Sequence, residues 1–231
     1  MSERDAGLVF DIIGIVHRQK VRWTVAETIL QGGCHMAVAV GSQHVHMARM
    51  AAPARVIGAI AWLDQAELNA CRRFNRTVRL AGLLKVFQVA SRLGDGVLWY
   101  TLVAVLALFF GEKGRVVALQ CAVSGVSGLI IYRLLKNVLV RERPYMTHAA
   151  IICAGKPLDR FSFPSGHTLH AVGFALVICS TLPLMAGLLV PVAVLIALSR
   201  VVLGLHYPTD VLAGATLGAL IGNASIALIG A

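Results

Sequence analysis

The chain has 231 residues, 58% of them hydrophobic and only 14% charged, with a formal net charge of +10. A soluble domain carries roughly 25% charged residues, and after Arg160 the only charged or imidazole side chains here are Arg200, Asp210 and three histidines. That excludes a water-soluble fold and reads as an integral membrane protein, with a basic excess suited to anionic lipid head groups rather than nucleic acid.

Residues 1–50 differ in composition from the rest. The apolar stretch LVFDIIGIV is short and broken by Asp11, which argues against a signal peptide. His35, His44 and His46 are scattered, and the HVH at 44–46 reads as an incidental surface cluster. The segment is taken as a poorly assigned extension, either weakly ordered or upstream of a true start near Met47 or Met50. The five cysteines, Cys34, Cys71, Cys121, Cys153 and Cys179, form no CxxC pair and point to neither a disulfide framework nor a zinc site.

Residues 51–92 read as an amphipathic interfacial segment. Leu68, Cys71, Phe74 and Val78 recur at helical spacing, as do Leu83, Phe87 and Ala90, while Arg72, Arg73, Arg76, Arg79 and Lys85 take the other faces. One or two helices lying in the membrane interface fit this pattern, and a helix packed on the membrane part is the alternative.

Residues 93–231 hold five apolar runs, roughly 97–110, 116–135, 169–182, 185–198 and 211–229. A spanning helix needs about 20 residues. The second and fifth runs qualify directly, and the others reach that length by borrowing flanking residues. Trp99 and Tyr100 suit an interfacial anchor, EKGR at 112–115 marks one turn, and Pro183 with Gly187 marks another. The expected fold is all-α: a membrane helical bundle of about five transmembrane helices led by an N-terminal interfacial helix. Alternating spans bring Lys136, His167, Arg200 and Asp210 to one face of the membrane.

Three polar clusters meet there. In KNVLVRERP, Lys136 and Arg143 are seven apart, which on a helix places them on one face about 10 Å apart along the axis, with Pro144 ending the helix. In PSGH, Ser165 is placed to cap, Gly166 lets a ligand approach the backbone, and His167 falls in the first turn of a helix whose N-terminus favours anions. In SRVVLGLHYPTD, His206 and Asp210 are four apart, so a carboxylate can reach and orient the imidazole, and Arg200 adds a cation. Arg141 reads as a basic residue snorkelling toward head groups. A metal site built from His167, His170, His206 and Asp210 is the main rival. Lys136, Arg143 and Arg200 converging on the same place disfavour a divalent cation and favour a tetrahedral oxyanion, so no metal and no cofactor are expected. His170, one turn deeper, reads as a packing or supporting residue.

Together the clusters resemble the type 2 phosphatidic-acid phosphatase superfamily, whose pattern is K-x6-RP, PSGH and SR-x5-H-x3-D. It stands here as Lys136…Arg143-Pro144, Pro164-Ser165-Gly166-His167 and Ser199-Arg200…His206…Asp210. The resemblance covers about residues 93–231. It implies a membrane phosphatase acting on a lipid phosphate or diphosphate. His206 would be the nucleophile, Asp210 its orienting group and His167 the acid and base, while Lys136, Arg143, Ser165, Gly166 and Arg200 would bind phosphate. The architecture looks most like bacterial undecaprenyl-pyrophosphate phosphatases, which implies an inner-membrane protein with a periplasmic site. Phosphatidate, phosphatidylglycerophosphate and lipid A phosphates are the next substrates. A non-catalytic lipid-binding protein and a vanadate-dependent oxidoreductase are the readings from other classes. The oligomeric state is not legible in the sequence.

Overall fold

A computed structural model describes residues 54–230, so the extension 1–50 lies outside the described residues. The chain forms helices α1 (Ala54–Asn75), α2 (Ala81–Leu93), α3 (Val97–Phe109), α4 (Gly111–Val138), α5 (Gly166–Thr181), α6 (Ala186–Val202) and α7 (Pro208–Ile229). Single helical turns fall at Arg76–Arg79, Pro144–Thr147 and Pro183–Met185. The fold is an all-α membrane bundle.

The apolar runs coincide with α3 to α7, but their lengths differ. α4, α7 and the segment Pro183–Val202 are long and apolar enough to cross a membrane, and the bent pair α2–α3 becomes a fourth candidate if counted as one span. α3 has 13 residues and α5 has 16, so neither helix is of spanning length by itself. The EKGR stretch is not a turn. Gly111, at φ 61°, makes the reversal, and residues 112–115 already belong to the first turn of α4. A positive φ is a conformation glycine adopts without steric cost.

α5 lies at the centre, packed on α7, α4 and α6. Its fit to α7 depends on missing side chains. A Cβ at Gly218 would sit 2.2 Å from the Leu169 carbonyl oxygen, and one at Gly214 2.5 Å from that of Ser165. Glycine at these positions lets two backbones touch, the usual way helices associate where lipid offers no hydrophobic drive. Trp99, Leu106, Val117, Phe174, Ile178 and Ile196 fill the core between helices. Trp99 is therefore no interfacial anchor: it is buried against Phe174, ring centroids 5.6 Å apart, while neighbouring Tyr100 is exposed. Adjacent residues on a helix point about 100° apart. Leu108, Val126, Leu134, Leu212, Leu220 and Leu228 stand on the outside of the bundle, an apolar surface that suits lipid.

The stripes of α1 and α2 divide. Leu68 and Cys71 are buried with Ile151, Val201 and Tyr207 in a second, smaller core, and Val78 and Ala90 are buried too. Phe74, Leu83, Val86 and Val89 remain exposed. Half of the pattern read as interfacial is thus protein packing.

Candidate active site

The ends of α4, α5, α6 and α7 bring the three polar clusters together. Lys136 does not share a helix with Arg143: α4 ends at Val138, Arg143 is extended (φ −78°, ψ 152°), and Pro144 begins a helical turn rather than ending one. A residue before proline is pushed out of the α region, and proline at the first helical position loses no hydrogen bond. The chain folds back, and Lys136 and Arg143 meet on the carboxylate of Asp159. Lys136 Nζ donates to Oδ2, and Arg143 Nη2 donates to Oδ1 at 3.0 Å. Tyr132 donates to Oδ2 at 2.6 Å, and Lys136 also donates to the Tyr132 hydroxyl at 2.7 Å. Burial disfavours the Asp159 anion, but hydrogen bonds from Lys136 and Tyr132 and the charges of Lys136 and Arg143 outweigh it, holding its pKa below the ordinary 3.8.

Arg143 is buried and anchored by the carbonyl oxygens of Asp159 and Leu205, each 2.9 Å away. Its Nη1 lies 3.2 Å from His206 Nε2. His206 sits in the loop between α6 and α7, 2% exposed. Burial first, then the charges of Arg200 and Arg143, push its pKa down to about 3 against the opposing influence of Asp210. Burial and the neighbouring guanidinium charges thus favour the neutral imidazole.

Asp210, in the first turn of α7, accepts from the Tyr207 N–H at 2.8 Å and from Arg141 at 2.8 Å. Arg141 also donates to Glu67 at 2.7 Å, and its guanidinium lies 3.9 Å from the centroid of the Tyr207 ring. It is held by two carboxylates and an aromatic face rather than reaching for head groups. Thr209 closes the network by donating through N–H and Oγ1 to Glu67.

Arg200 is 1% exposed. One Nη donates to Ser91 Oγ at 2.5 Å, and its buried Nε has no hydrogen-bond partner among the described residues. His206 Nδ1 is likewise buried without a partner. His167, in the first turn of α5, places Nε2 2.7 Å from Asp95 Oδ1. Ser165 precedes α5 but makes no side-chain cap. Its hydroxyl bonds Thr168 Oγ1 at 3.0 Å, and its N–H donates to the Asp210 carbonyl. Gly166 faces Tyr132, where an added Cβ would fall 2.8 Å from the ring. His170 stacks on Phe174, centroids 5.8 Å apart. Among the described residues no three His, Cys, Asp or Glu side chains form a metal-holding group. Asp159, Asp95, Glu67 and Ser91 were not anticipated, since each is an isolated residue outside the motifs.

A cavity of about 470 Å³ runs from Asp95, Gly166 and His167 down between α3, α4 and α5 to Val103 and Phe174, with mostly apolar walls. Asp95, Tyr132, His167 and His170 are among its polar lining residues.

Residues 97–231 match the PAP2 superfamily. The chain belongs to this family. Among its PAP2 relatives is the undecaprenyl-diphosphatase of Sulfolobus acidocaldarius, 32% identical over 162 residues, 69% of this chain and 76% of that one. The crystal structure of Aquifex aeolicus LpxE superposes with a TM-score of 0.60 at 29% identity, covering 69% of this chain and 94% of that chain. The transmembrane PAP2 type phosphatidylglycerolphosphate phosphatase from Bacillus subtilis gives 0.56 at 26% identity, covering 75% and 90%.

Proposed function

We propose that this PAP2 protein is a membrane lipid phosphatase that works through a phosphohistidine, with a polyprenyl diphosphate such as undecaprenyl diphosphate as substrate. The carrying observation is a buried His206 whose Nε2 faces Arg143 and whose backbone N–H donates to the carbonyl of Arg200, a buried arginine with a partnerless Nε, while His167 lines an apolar-walled cavity. Buried donors without partners are rare unless a ligand supplies the acceptor, and phosphoryl oxygens would.

In this reading His206 Nε2 attacks phosphorus while Asp210 steadies the Nδ1–H side. His167 gives a proton to the leaving oxygen, then takes one from water as the N–P bond is hydrolysed. Lys136, Arg143, Arg200, Ser165 and the Gly166 N–H hold the equatorial oxygens and offset the charge that develops there. For Lys136 and Arg143 this requires Asp159 to yield its place to phosphate. No metal or cofactor takes part. The polyprenyl choice rests on the undecaprenyl-diphosphatase relative and on a cavity with mostly apolar walls. Phosphatidylglycerophosphate is the second choice, from the Bacillus subtilis neighbour. Residues 51–92 are proposed to lie at the membrane surface, and the site to open on the extracytoplasmic side of the plasma membrane.

The test is phosphate release by the purified chain in detergent from undecaprenyl diphosphate, phosphatidylglycerophosphate, phosphatidate and lipid A. The diphosphate should be turned over fastest, with excess EDTA making no difference, and His206→Ala should abolish both turnover and labelled phosphoenzyme. Turnover of none of the four would exclude the phosphatase reading, and a faster glycerolipid would exclude the polyprenyl one.

A further inference from the structure

The family match begins at Val97, and the three motifs lie beyond it. Yet two contacts to motif residues come from the segment just before. Ser91, in the last turn of α2, accepts from Arg200 at 2.5 Å, and Asp95 accepts from His167 Nε2 at 2.7 Å. α2 packs along α6, which carries Arg200, so its C-terminal end is fixed against the site.

The turn that holds Asp95 is built for this approach. Gly94 N–H donates to Ala90 and Ser91 carbonyls, and Asp95 N–H to that of Arg92. A Cβ at Gly94 would lie 2.7 Å from His167 Cδ2, so only glycine lets this backbone close onto the imidazole. Gly96, at φ 112°, then redirects the chain into α3. His167 is 6% exposed while the Asp95 side chain is about half exposed, at 48%. The carboxylate therefore stays hydrated, and its hydrogen bond with the buried ring does not require burying two charges.

We infer that Asp95 is a positioning residue for the acid–base work of His167, supplied by a turn that precedes the family's own domain. Asp95 accepts the Nε2–H and fixes the ring, leaving Nδ1 as the nitrogen that exchanges protons. In the first half-reaction the Nδ1 proton goes to the leaving oxygen as its bond to phosphorus breaks and the His206 N–P bond forms. In the second, Nδ1 takes a proton from water as its oxygen bonds phosphorus and the N–P bond breaks. The carboxylate stabilises the imidazolium that alternates with the neutral ring. The two histidines of the site thus each have a carboxylate, Asp210 from within the motifs and Asp95 from outside them.

This inference rests on the proposed acid–base role of His167, and the test separates the two. Take the lipid of the panel above that is turned over fastest, with the full chain in detergent. Asp95→Ala should lower kcat by about 10- to 100-fold, at most the low end of the roughly 10²–10⁴-fold that a positioned acid–base group contributes, with KM and melting temperature nearly unchanged. Combined with His167→Ala, it should add less than about a further twofold, because two residues that act as one unit are not additive. A slow His167→Ala beside an Asp95→Ala at the wild-type rate overturns the inference alone. So does a full, independent loss from Asp95→Ala in the His167→Ala background. His167→Ala at the wild-type rate overturns the acid–base reading and the inference with it. Asp95→Asn repeats each arm should the alanine variant fail to fold.

Discussion

Asp210 Oδ2 lies 3.7 Å from His206 Nδ1, beyond hydrogen-bond distance, while both carboxylate oxygens are occupied, one by the Tyr207 N–H and the other by Arg141. The carboxylate is thus fixed by α7 and Arg141, and Arg141 is fixed by Glu67 from α1. The imidazole is left a short way off, its Nδ1 without a partner. Under the proposed mechanism, a small closing motion as His206 takes up the phosphoryl group would complete the pair.

Arg141→Ala should therefore reduce kcat by about tenfold, because an orienting carboxylate that loses its own support loses precision. Glu67→Gln should have a smaller effect in the same direction. Steady-state kinetics on the two variants test this, and an Arg141→Ala enzyme changed only in KM would place Arg141 in substrate binding instead.

The neutral state of His206 is open to direct measurement. With its pKa pushed down from 6.5 to about 3, the folded chain holds this ring unprotonated where an unfolded chain would protonate it. Lowering the pH from about 6.5 toward 3 thus progressively favours unfolding through this group. A ¹⁵N-histidine spectrum, with His206 assigned by its loss in His206→Gln, should show a neutral ring at about pH 5. A midpoint near 6.5 would refute the burial argument.

Asp159 pairs with Lys136 and Arg143, the cations proposed above to bind phosphate. Its depressed pKa means that its pairing with Lys136 and Arg143 contributes stability above about pH 4 and loses it as the pH falls through the folded value. Asp159→Asn should tighten inhibition by vanadate by about tenfold, equivalent to roughly 1.4 kcal/mol, because the cations no longer have a competing anion. Weaker inhibition would show instead that Asp159 is required to hold Lys136 and Arg143 in place.

The motif residues were legible because each has a fixed spacing to the next, and helix parity alone carries their segments to one end of a bundle. Their supports were not. Asp159 sits in a loop, Asp95 in a turn and Glu67 on a surface helix, and nothing local marks a lone carboxylate as the partner of a cation dozens of residues away. Lengths failed where a glycine or proline reset the backbone: Gly111 moved a turn ahead of EKGR, and Pro144 started a helical turn that spacing read as an end. Gly214, Gly218 and Gly222 recur every four residues in α7, and only the close approach of α5 shows why.

That approach gives a stability prediction. At Gly218 a methyl group would meet the backbone of Leu169 at 2.2 Å, which cannot rotate away. Gly218→Ala should cost about 3 kcal/mol or more, at the upper end of overpacking, and lower the melting temperature in detergent. Gly187→Ala, where an added Cβ meets nothing within 4 Å, should be neutral or stabilising, since alanine is the better helix former by about 1 kcal/mol. Equal melting temperatures for the two variants would contradict the packing.

The side of the membrane on which the site opens sets two arguments against each other. Lys and Arg are enriched in cytoplasmic loops. Lys156 and Arg160 lie in the loop before α5, whereas the start of α4 offers Lys113 and Arg115. Counted naively, with the basic residues of α1 and α2, the rule puts the site in the cytoplasm. Lys136, Arg143 and Arg200, however, are proposed to bind phosphate, which would account for their charge without the rule, and the proposed site is extracytoplasmic. Cys153 can decide. It is exposed, and its neighbour Ala154 donates its N–H to the Leu203 carbonyl at 3.2 Å, tying this loop to the one that carries His206. The thiol and the site therefore share a side. In a chain with Cys34, Cys71, Cys121 and Cys179 replaced, a thiol reagent that cannot cross the plasma membrane should label Cys153 in intact cells. Labelling only after that membrane is opened would place the site in the cytoplasm, and the positive-inside count would have been the better guide.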